Sequence, residues 1–186
     1  MISKIKRKIK RKLGFRSSYE EILGDLEKRG LKVGKNFAFN DGCIIDPSHC
    51  WKISIGDNVT LAPNVHILAH DASTKFYLDY VKVGLVKIGN EVFIGAGTII
   101  LPNVEIGDNV IIGAGSVVNK DIPSNTVVAG NPAKSIGKTS EYITKQKKRM
   151  EESHLFDESY TLGGNITKEK KEEMRRILQN GMGFLK

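Results

Sequence analysis

The sequence predicts an all-β body, a parallel β-helix whose coils stack into a triangular prism, flanked by helical appendages at both ends. Three observations carry this. From Ile88 to Val118 every sixth residue is aliphatic: Ile88, Ile94, Ile100, Ile106, Ile112 and Val118. Gly89, Gly95, Gly107 and Gly113 follow four of them. Four residues after each aliphatic comes a second small or β-branched residue, in order Val92, Thr98, Val104, Val110, Ser116 and Ile122. Strands repeat every two residues and helices every 3.6, so neither produces this beat, whereas a hexapeptide repeat is the mark of a β-helix. Three hexads close one coil of about 18 residues. The aliphatic residues should point into the prism, and the glycines are expected at corners, where no side chain is wanted and unusual backbone angles are cheap.

The elements follow in order. Residues 1–30 form a basic helical segment in two parts. Ile2, Ile5, Ile9 and Leu13 recur at helical spacing among Lys4, Lys6, Arg7, Lys8, Lys10, Arg11 and Lys12, a basic amphipathic pattern suited to an anionic membrane surface. Gly14 ends it. Ser18 then opens a second helix over 20–29, with Ile22, Leu23 and Leu26 as its packing stripe and Gly30 as its stop. The β-helix spans 31–137. Val33, Phe39 and Ile45 mark coil one, and Ile55, Leu61 and Ile67 coil two, with four extra residues at 51–54 between them. The beat then breaks over 73–87, an inserted loop carrying Phe76, Tyr77 and Tyr80, and resumes in phase for coils three (88–105) and four (106–123). Loops of this length inside compact domains are often functional. A short strand is expected around Val127 and Val128. The C-terminal extension, 138–186, should hold helices over 140–153 and 167–180, the second capped by Thr167 and stopped by Gly181. An open solenoid end exposes its core, so at least one flanking helix should cover it.

The net charge of +8 divides unevenly. Residues 1–30 carry ten Lys/Arg against four Asp/Glu, 31–137 eight against nine, and 138–186 eleven against eight. The body is near neutral and the basicity sits in the tails, which excludes a bulk-electrostatic nucleic-acid binder with its positive rigid face. Two cysteines, Cys43 and Cys50, make no disulfide framework; Cys43, on a small inward position, is expected to be a buried free thiol. No apolar run reaches membrane-spanning length, and the basic N-terminus lacks the apolar stretch of a secretory signal. The expected location is the cytoplasm, peripheral at the inner membrane face.

A packed prism interior leaves chemistry to its corners and loops. Of His49, His66, His70 and His154, His70 stands out: it lies at the last corner of coil two, beside Asp71 and directly before the inserted loop. Ile55-Gly56-Asp57-Asn58-Val59, Ile67-Leu68-Ala69-His70-Asp71, Ile88-Gly89-Asn90-Glu91-Val92, Ile106-Gly107-Asp108-Asn109-Val110 and Ala129-Gly130-Asn131-Pro132-Ala133-Lys134 together resemble the left-handed β-helix acyltransferases, the hexapeptide family of galactoside, maltose, serine and capsule-sugar acetyltransferases. The resemblance covers about 31–137. It implies left-handed coils, against the usual crossover hand, and a homotrimer with active sites between neighbouring prisms. It implies acetyl-CoA as co-substrate, and no metal. His70 matches the family's catalytic base; imidazole suits the task because its ordinary titration near pH 6.5 leaves it mostly neutral in the cytoplasm. Asn40 matches an acceptor-contacting position, and Asp71, Tyr77 and Tyr80 are placed with it on the acceptor side. Ala96 and Ala114 match positions whose amides meet the pantetheine arm, and Asn119, Lys120 and Lys134 lie on the coenzyme side. The family's frequent Arg three residues beyond Lys134 is Gly137 here, followed by Lys138.

The function so implied is acetyl transfer from acetyl-CoA to a sugar hydroxyl of a surface polysaccharide or its precursor. An amino-sugar N-acetyltransferase is the alternative within the class, and a non-enzymatic β-helix scaffold the alternative outside it. A zinc enzyme of carbonic-anhydrase type would need His49, His66 and His70 gathered as ligands. For the basic N-terminus, the full chain should co-sediment with anionic liposomes and a chain lacking residues 1–16 should not; equal binding of the two contradicts the membrane reading.

Overall fold

The computed structural model describes residues 19–186, so the basic amphipathic segment of 1–16 lies outside the described residues. The chain separates into two compact units, the first ending at Thr139 and the second spanning Ser140–Lys186. The first unit is a three-sided parallel β-helix. Lys32–Val33, Ile53–Ile55, Val86–Ile88 and Val104–Ile106 stack as one face. Ala38–Phe39, Thr60–Leu61, Phe93–Ile94, Ile111–Ile112 and Thr126–Ala129 form the second, and Ile44–Ile45, His66–Ile67, Ile99–Ile100 and Val117–Val118 the third.

The register is that of the hexads. Val33 pairs with Ile55, Ile55 with Ile88 and Ile88 with Ile106; Ile45 pairs with Ile67, Ile67 with Ile100 and Ile100 with Val118. Each of these columns runs up the inside of the prism. The second series is buried with it: Val92, Thr98, Val104, Val110 and Ser116 are 2% exposed or less. Each such aliphatic, withdrawn from water, contributes about 1.5–3 kcal/mol. The helix Tyr19–Lys28 covers coil one through Leu23 and Leu26, which join the same core, and the Tyr19 hydroxyl donates to the Phe37 carbonyl. The strand Lys134–Lys138 turns back antiparallel on Thr126–Ala129 at the other end.

Three expectations need correction. The hexad glycines are not there for their backbone freedom. Left-handed angles fall instead on Asn36, Asn58, Glu91, Asn109 and Asn125, four of them asparagines, which tolerate such angles better than most residues. Gly56 is required by close approach: a Cβ there would stand 2.6 Å from the Gly89 carbonyl oxygen of the coil above. The extra residues of coil one are also misplaced at 51–54. Ile53–Ile55 is already in the ladder, and the surplus forms a turn ending in the 3₁₀ segment Cys50–Lys52. Finally, Cys50 is the fully buried thiol, while Cys43 is half-buried with its Sγ on the Ala62 carbonyl.

The inserted loop is ordered. His70–Asp71 and Lys82–Val83 pair as a short antiparallel hairpin, with a one-turn helix, Lys75–Leu78, at its tip. The ladder resumes at Val86, inside the segment 73–87 assigned to the loop. Beyond its first residue the helix Thr139–Glu151 belongs to the second unit, which also holds the helix Lys168–Leu178, capped by the Thr167 hydroxyl accepting from the Lys170 amide. Its small core is Phe156, 2% exposed, packed between His154 and Tyr160. Among the described residues no helix is long and apolar enough to cross a membrane.

Close coil contact makes a specific prediction. Gly56→Ala should lower unfolding stability by about 1–3 kcal/mol through overpacking against backbone. Gly24→Ala, in the helix Tyr19–Lys28 with open space around it, should raise stability by about 0.5–1 kcal/mol. Urea unfolding of the two variants checks both signs.

Candidate active site

Two chain excursions leave the prism from the same edge, that between the third face and the first. Coil one departs there through Asp46-Pro47-Ser48-His49, and coil two, directly above, through His70 and the hairpin. The Asp46 amide donates to the Ile67 carbonyl at 2.8 Å, so the ladder holds at the point of departure. This stacking brings together side chains that lie far apart in sequence. His70 Nδ1 is 2.5 Å from Asp46 Oδ2. The Asp46 side chain is fully buried and the His70 side chain is 33% exposed.

Asp46 is fully used. Its Oδ1 accepts from the Ser48 and His49 amides at 3.0 and 3.1 Å, and its Oδ2 accepts from the Ala69 amide at 3.0 Å as well as from His70. Burial by itself pushes the Asp46 pKa up, but the hydrogen bonds from His70, Ala69 and Ser48 together outweigh it and hold the carboxyl below its ordinary value. The group is therefore an anion at neutral pH. An ionised carboxylate can only accept, so the shared proton sits on His70 Nδ1 and the lone pair of the neutral ring is on Nε2. His49 packs against His70 with ring centroids 4.6 Å apart, and against Trp51 at 5.3 Å.

The sequence places Asp71 next to His70 and on the acceptor side. The structure gives Asp71 other partners: Lys82 Nζ at 2.5 Å and the Ser73 amide at 2.8 Å. The Lys82 contact, ahead of that amide, lowers its pKa to about 2. Asp71 thus clasps the hairpin, while Asp46 meets the imidazole. Asp46 was missed because its nearness to His70 depends on which coil lies beneath which. The available signal was that Asp46 follows an inward aliphatic, Ile45, where the hexad beat first fails.

The remaining candidates occupy two edges. Asn119 and Lys120 are exposed on the His70 edge, at coil four. Tyr77 and Tyr80 stand on the hairpin tip with Phe76, each more than three-quarters exposed. Asn40, Ala96 and Ala114 fall on the other edge, between the second and third faces. Asn40 Nδ2 donates to the Leu61 carbonyl and lines a hollow of about 300 Å³ with Tyr19, Phe39 and Cys43. Ala96 and Ala114 are exposed and stacked, the Gly115 amide reaching the Ala96 carbonyl at 2.8 Å. Lys134 is exposed where the antiparallel strand begins. A single prism therefore does not bring Asn40, Ala96 or Ala114 to His70. Of the three histidines counted for a zinc enzyme, His66 points outward from the third face between Ile44 and Ile99, away from the other two.

Comparison with known proteins agrees with this architecture. The family model described as bacterial transferase hexapeptide (six repeats) matches residues 85–120. Protein CapG of Staphylococcus aureus is 43% identical over 128 residues, covering 64% of this chain and 73% of CapG. A maltose O-acetyltransferase structure from Clostridium difficile 630 superposes with a TM-score of 0.53 at 49% identity, covering 59% of each chain. A galactoside acetyltransferase in complex with coenzyme A superposes with a TM-score of 0.53 at 31% identity, covering 69% of this chain and 76% of that one. The chain belongs to the hexapeptide-repeat acetyltransferases. It is, accordingly, an acyltransferase.

Asp46→Asn tests the buried contact. The asparagine amide would turn donor hydrogens toward the Ala69 amide and His70 Nδ1, leaving buried donors unmatched at about 1–3 kcal/mol. Because the folded-state pKa of Asp46 is lowered, its stabilisation is complete above the ordinary carboxyl value and is lost as pH falls through the folded one. The stability gap between wild type and D46N, read by denaturant unfolding, should be widest near pH 7 and narrow as acid protonates Asp46; a gap constant with pH contradicts it.

Proposed function

We propose that this chain is an acetyl-CoA-dependent O-acetyltransferase acting on a sugar hydroxyl, with His70 as general base and Asp46 as its positioning residue. The observation that carries the reading is the 2.5 Å contact between His70 Nδ1 and the buried Asp46 carboxylate. It sets the tautomer that a base needs and aligns the ring. Nε2 takes the proton of the acceptor hydroxyl as that oxygen bonds to the acyl carbonyl carbon. The imidazolium, stabilised by Asp46, returns the proton to the departing thiolate. Carboxylate, imidazole and hydroxyl then play the parts familiar from other acyl-transfer sites.

The residues present suit acetyl-CoA as donor. Ala96 and Ala114 line an edge on which Gly97 and Gly115 have open space where a side chain would be, so a slender pantetheine arm can lie against the backbone there. Lys120 and Lys134 are exposed cations of the kind that meet phosphates as point charges. The sugar acceptor is supported by the maltose and galactoside enzymes among the similar proteins.

The active assembly in this reading is a homotrimer. His70 sits on a convex edge, and Asn40, Ala96 and Ala114 sit on another, so a groove containing all of them forms only where one prism meets the next. The outer faces support this. The first face shows Lys32, Ser54, Lys87 and Glu105 to solvent, whereas the second shows Phe93 and Ile111 and the third Ile44, Ile99 and Val117. Phe93 and Ile44 are 47% and 43% exposed in the single chain, the kind of apolar surface that marks an interface. A surface polysaccharide or its lipid-linked precursor is the favoured acceptor, because the N-terminal 16 residues are basic and amphipathic. In this picture the enzyme works in the cytoplasm beside the membrane.

Thiol release from acetyl-CoA across a panel of sugars, amino-sugars, lipid-linked glycans and serine tests the proposal. A sugar hydroxyl should be the acetylated group, and His70→Ala should lower kcat by about 10²–10⁴-fold with little change in the KM for acetyl-CoA. Near wild-type turnover in H70A, or acetylation at an amine, contradicts it.

A further inference from the structure

Beside His70 stands a second imidazole that the reaction does not use. His49 Nδ1 is buried and has no hydrogen-bond partner among the described residues. It lies 3.8 Å from Asp46 Oδ1, too far for a hydrogen bond. An orphaned buried nitrogen calls for an explanation, and here it faces two further metal-ligating groups. We propose that Asp46, His49 and His70 form an inhibitory site for a borderline-soft divalent cation, with Zn(II) as its representative.

The donor set and its spacing fit. One ligand atom from each residue lies within 4.8 Å of the others. Around a tetrahedral Zn(II), with bonds of about 2.0–2.2 Å, donors stand roughly 3.3 Å apart. His70 Nδ1 stands 2.5 Å from Asp46 Oδ2 and His49 Nδ1 3.8 Å from the other oxygen, Oδ1, so both imidazoles face the one carboxylate at distances on either side of that value. Small rotations of two partly exposed rings reach it. Two imidazoles and a carboxylate suit zinc rather than magnesium or calcium, which prefer all-oxygen shells. The side chains of His70 and His49 are 33% and 25% exposed, so an ion can enter from solvent while the carboxylate stays buried behind them.

The consequence follows from proton position. A cation bound at His70 Nδ1 takes the place of the Nδ1–H, and the single proton of the neutral ring moves to Nε2. The atom that must accept a proton in the proposed reaction then carries one. Zinc would switch off the base from behind, without entering the groove, so kcat should fall while the KM values for acetyl-CoA and acceptor hold. Binding stands on the geometry alone; inhibition rests on the reading of His70 as base.

The test uses the full chain, freed of metal and carrying Cys43→Ser so that the half-buried thiol is no rival ligand. Co(II) serves as a spectroscopic probe, and Zn(II) is added in calorimetry and in initial-rate assays. The His49→Phe variant keeps ring contacts with His70 and Trp51 but removes both nitrogen donors. Expected is a single Co(II) per chain with tetrahedral ligand-field absorption, displaced by Zn(II). In H49F the affinity should fall by more than about tenfold, since even outer-shell changes at metal sites cost 10–100-fold. H49F should retain wild-type turnover and resist the Zn(II) concentration that halves the wild-type rate. Absence of Co(II) binding, or equal binding by H49F, overturns the site. Binding without inhibition overturns the coupling and counts against His70 as base; inhibition that raises the KM for acetyl-CoA places the ion in the groove instead and also overturns it.

Discussion

In-register stacking of the coils is the constraint on which the rest of the molecule depends. The ladder hydrogen bonds run from each coil to the next, so every coil takes its position from the one beneath. A slip of one residue would turn an inward aliphatic outward, and with columns such as Ile55, Ile88 and Ile106 buried to 4% exposure or less, the cost of slipping is several side chains at once. Register also decides where irregularities meet. Because the coil-one turn and the coil-two hairpin leave from one edge in successive layers, Asp46 and His70 touch across 24 positions of sequence.

That contact carries its own energetic logic. A fully buried carboxylate is costly unless its lone pairs are occupied, and Asp46 meets four donors. Three are backbone amides at the two departure points, so the same groups that hold the charge also hold the turns. The imidazole is the fourth, and its orientation is set by a part of the structure that has little freedom to move. The hairpin that continues from His70 has a separate clasp, the ion pair of Asp71 with Lys82. Motion at the exposed tip bearing Phe76, Tyr77 and Tyr80 therefore need not disturb the dyad.

Much of the fold was legible in the sequence because a hexad is a local pattern with a long-range meaning. Once Ile88, Ile94 and Ile100 were assigned inward, their pairing with Ile55, Leu61 and Ile67 followed from the phase kept across the insertion. The hexad glycines were legible as positions where no side chain is wanted, but a local pattern records that Gly56 is small without recording what approaches it; Gly89 of the next coil supplies the reason. The location of the surplus in coil one was misread because the hexad count shows that four residues are extra without showing which four; only the pairing of Ile53 with Val86 puts Ile53 in the ladder. The site was half legible. His70 announced itself by standing before a loop, while Asp46 and His49 are revealed only by the layer below. The placement of Asn40, Ala96 and Ala114 on a separate edge is likewise a property of the three-sided cross-section, not of spacing along the chain.

The central claim is that stacking places a buried anion behind His70 and so dictates which ring nitrogen holds the proton. Nitrogen-15 NMR of the histidine rings reads this directly, through the two-bond couplings that distinguish a protonated from an unprotonated imidazole nitrogen. At a pH where the ring is neutral, His70 should show a protonated Nδ1 and a bare Nε2, and the pattern should be lost in D46N. A neutral His70 with its proton on Nε2 in the wild-type protein contradicts the account.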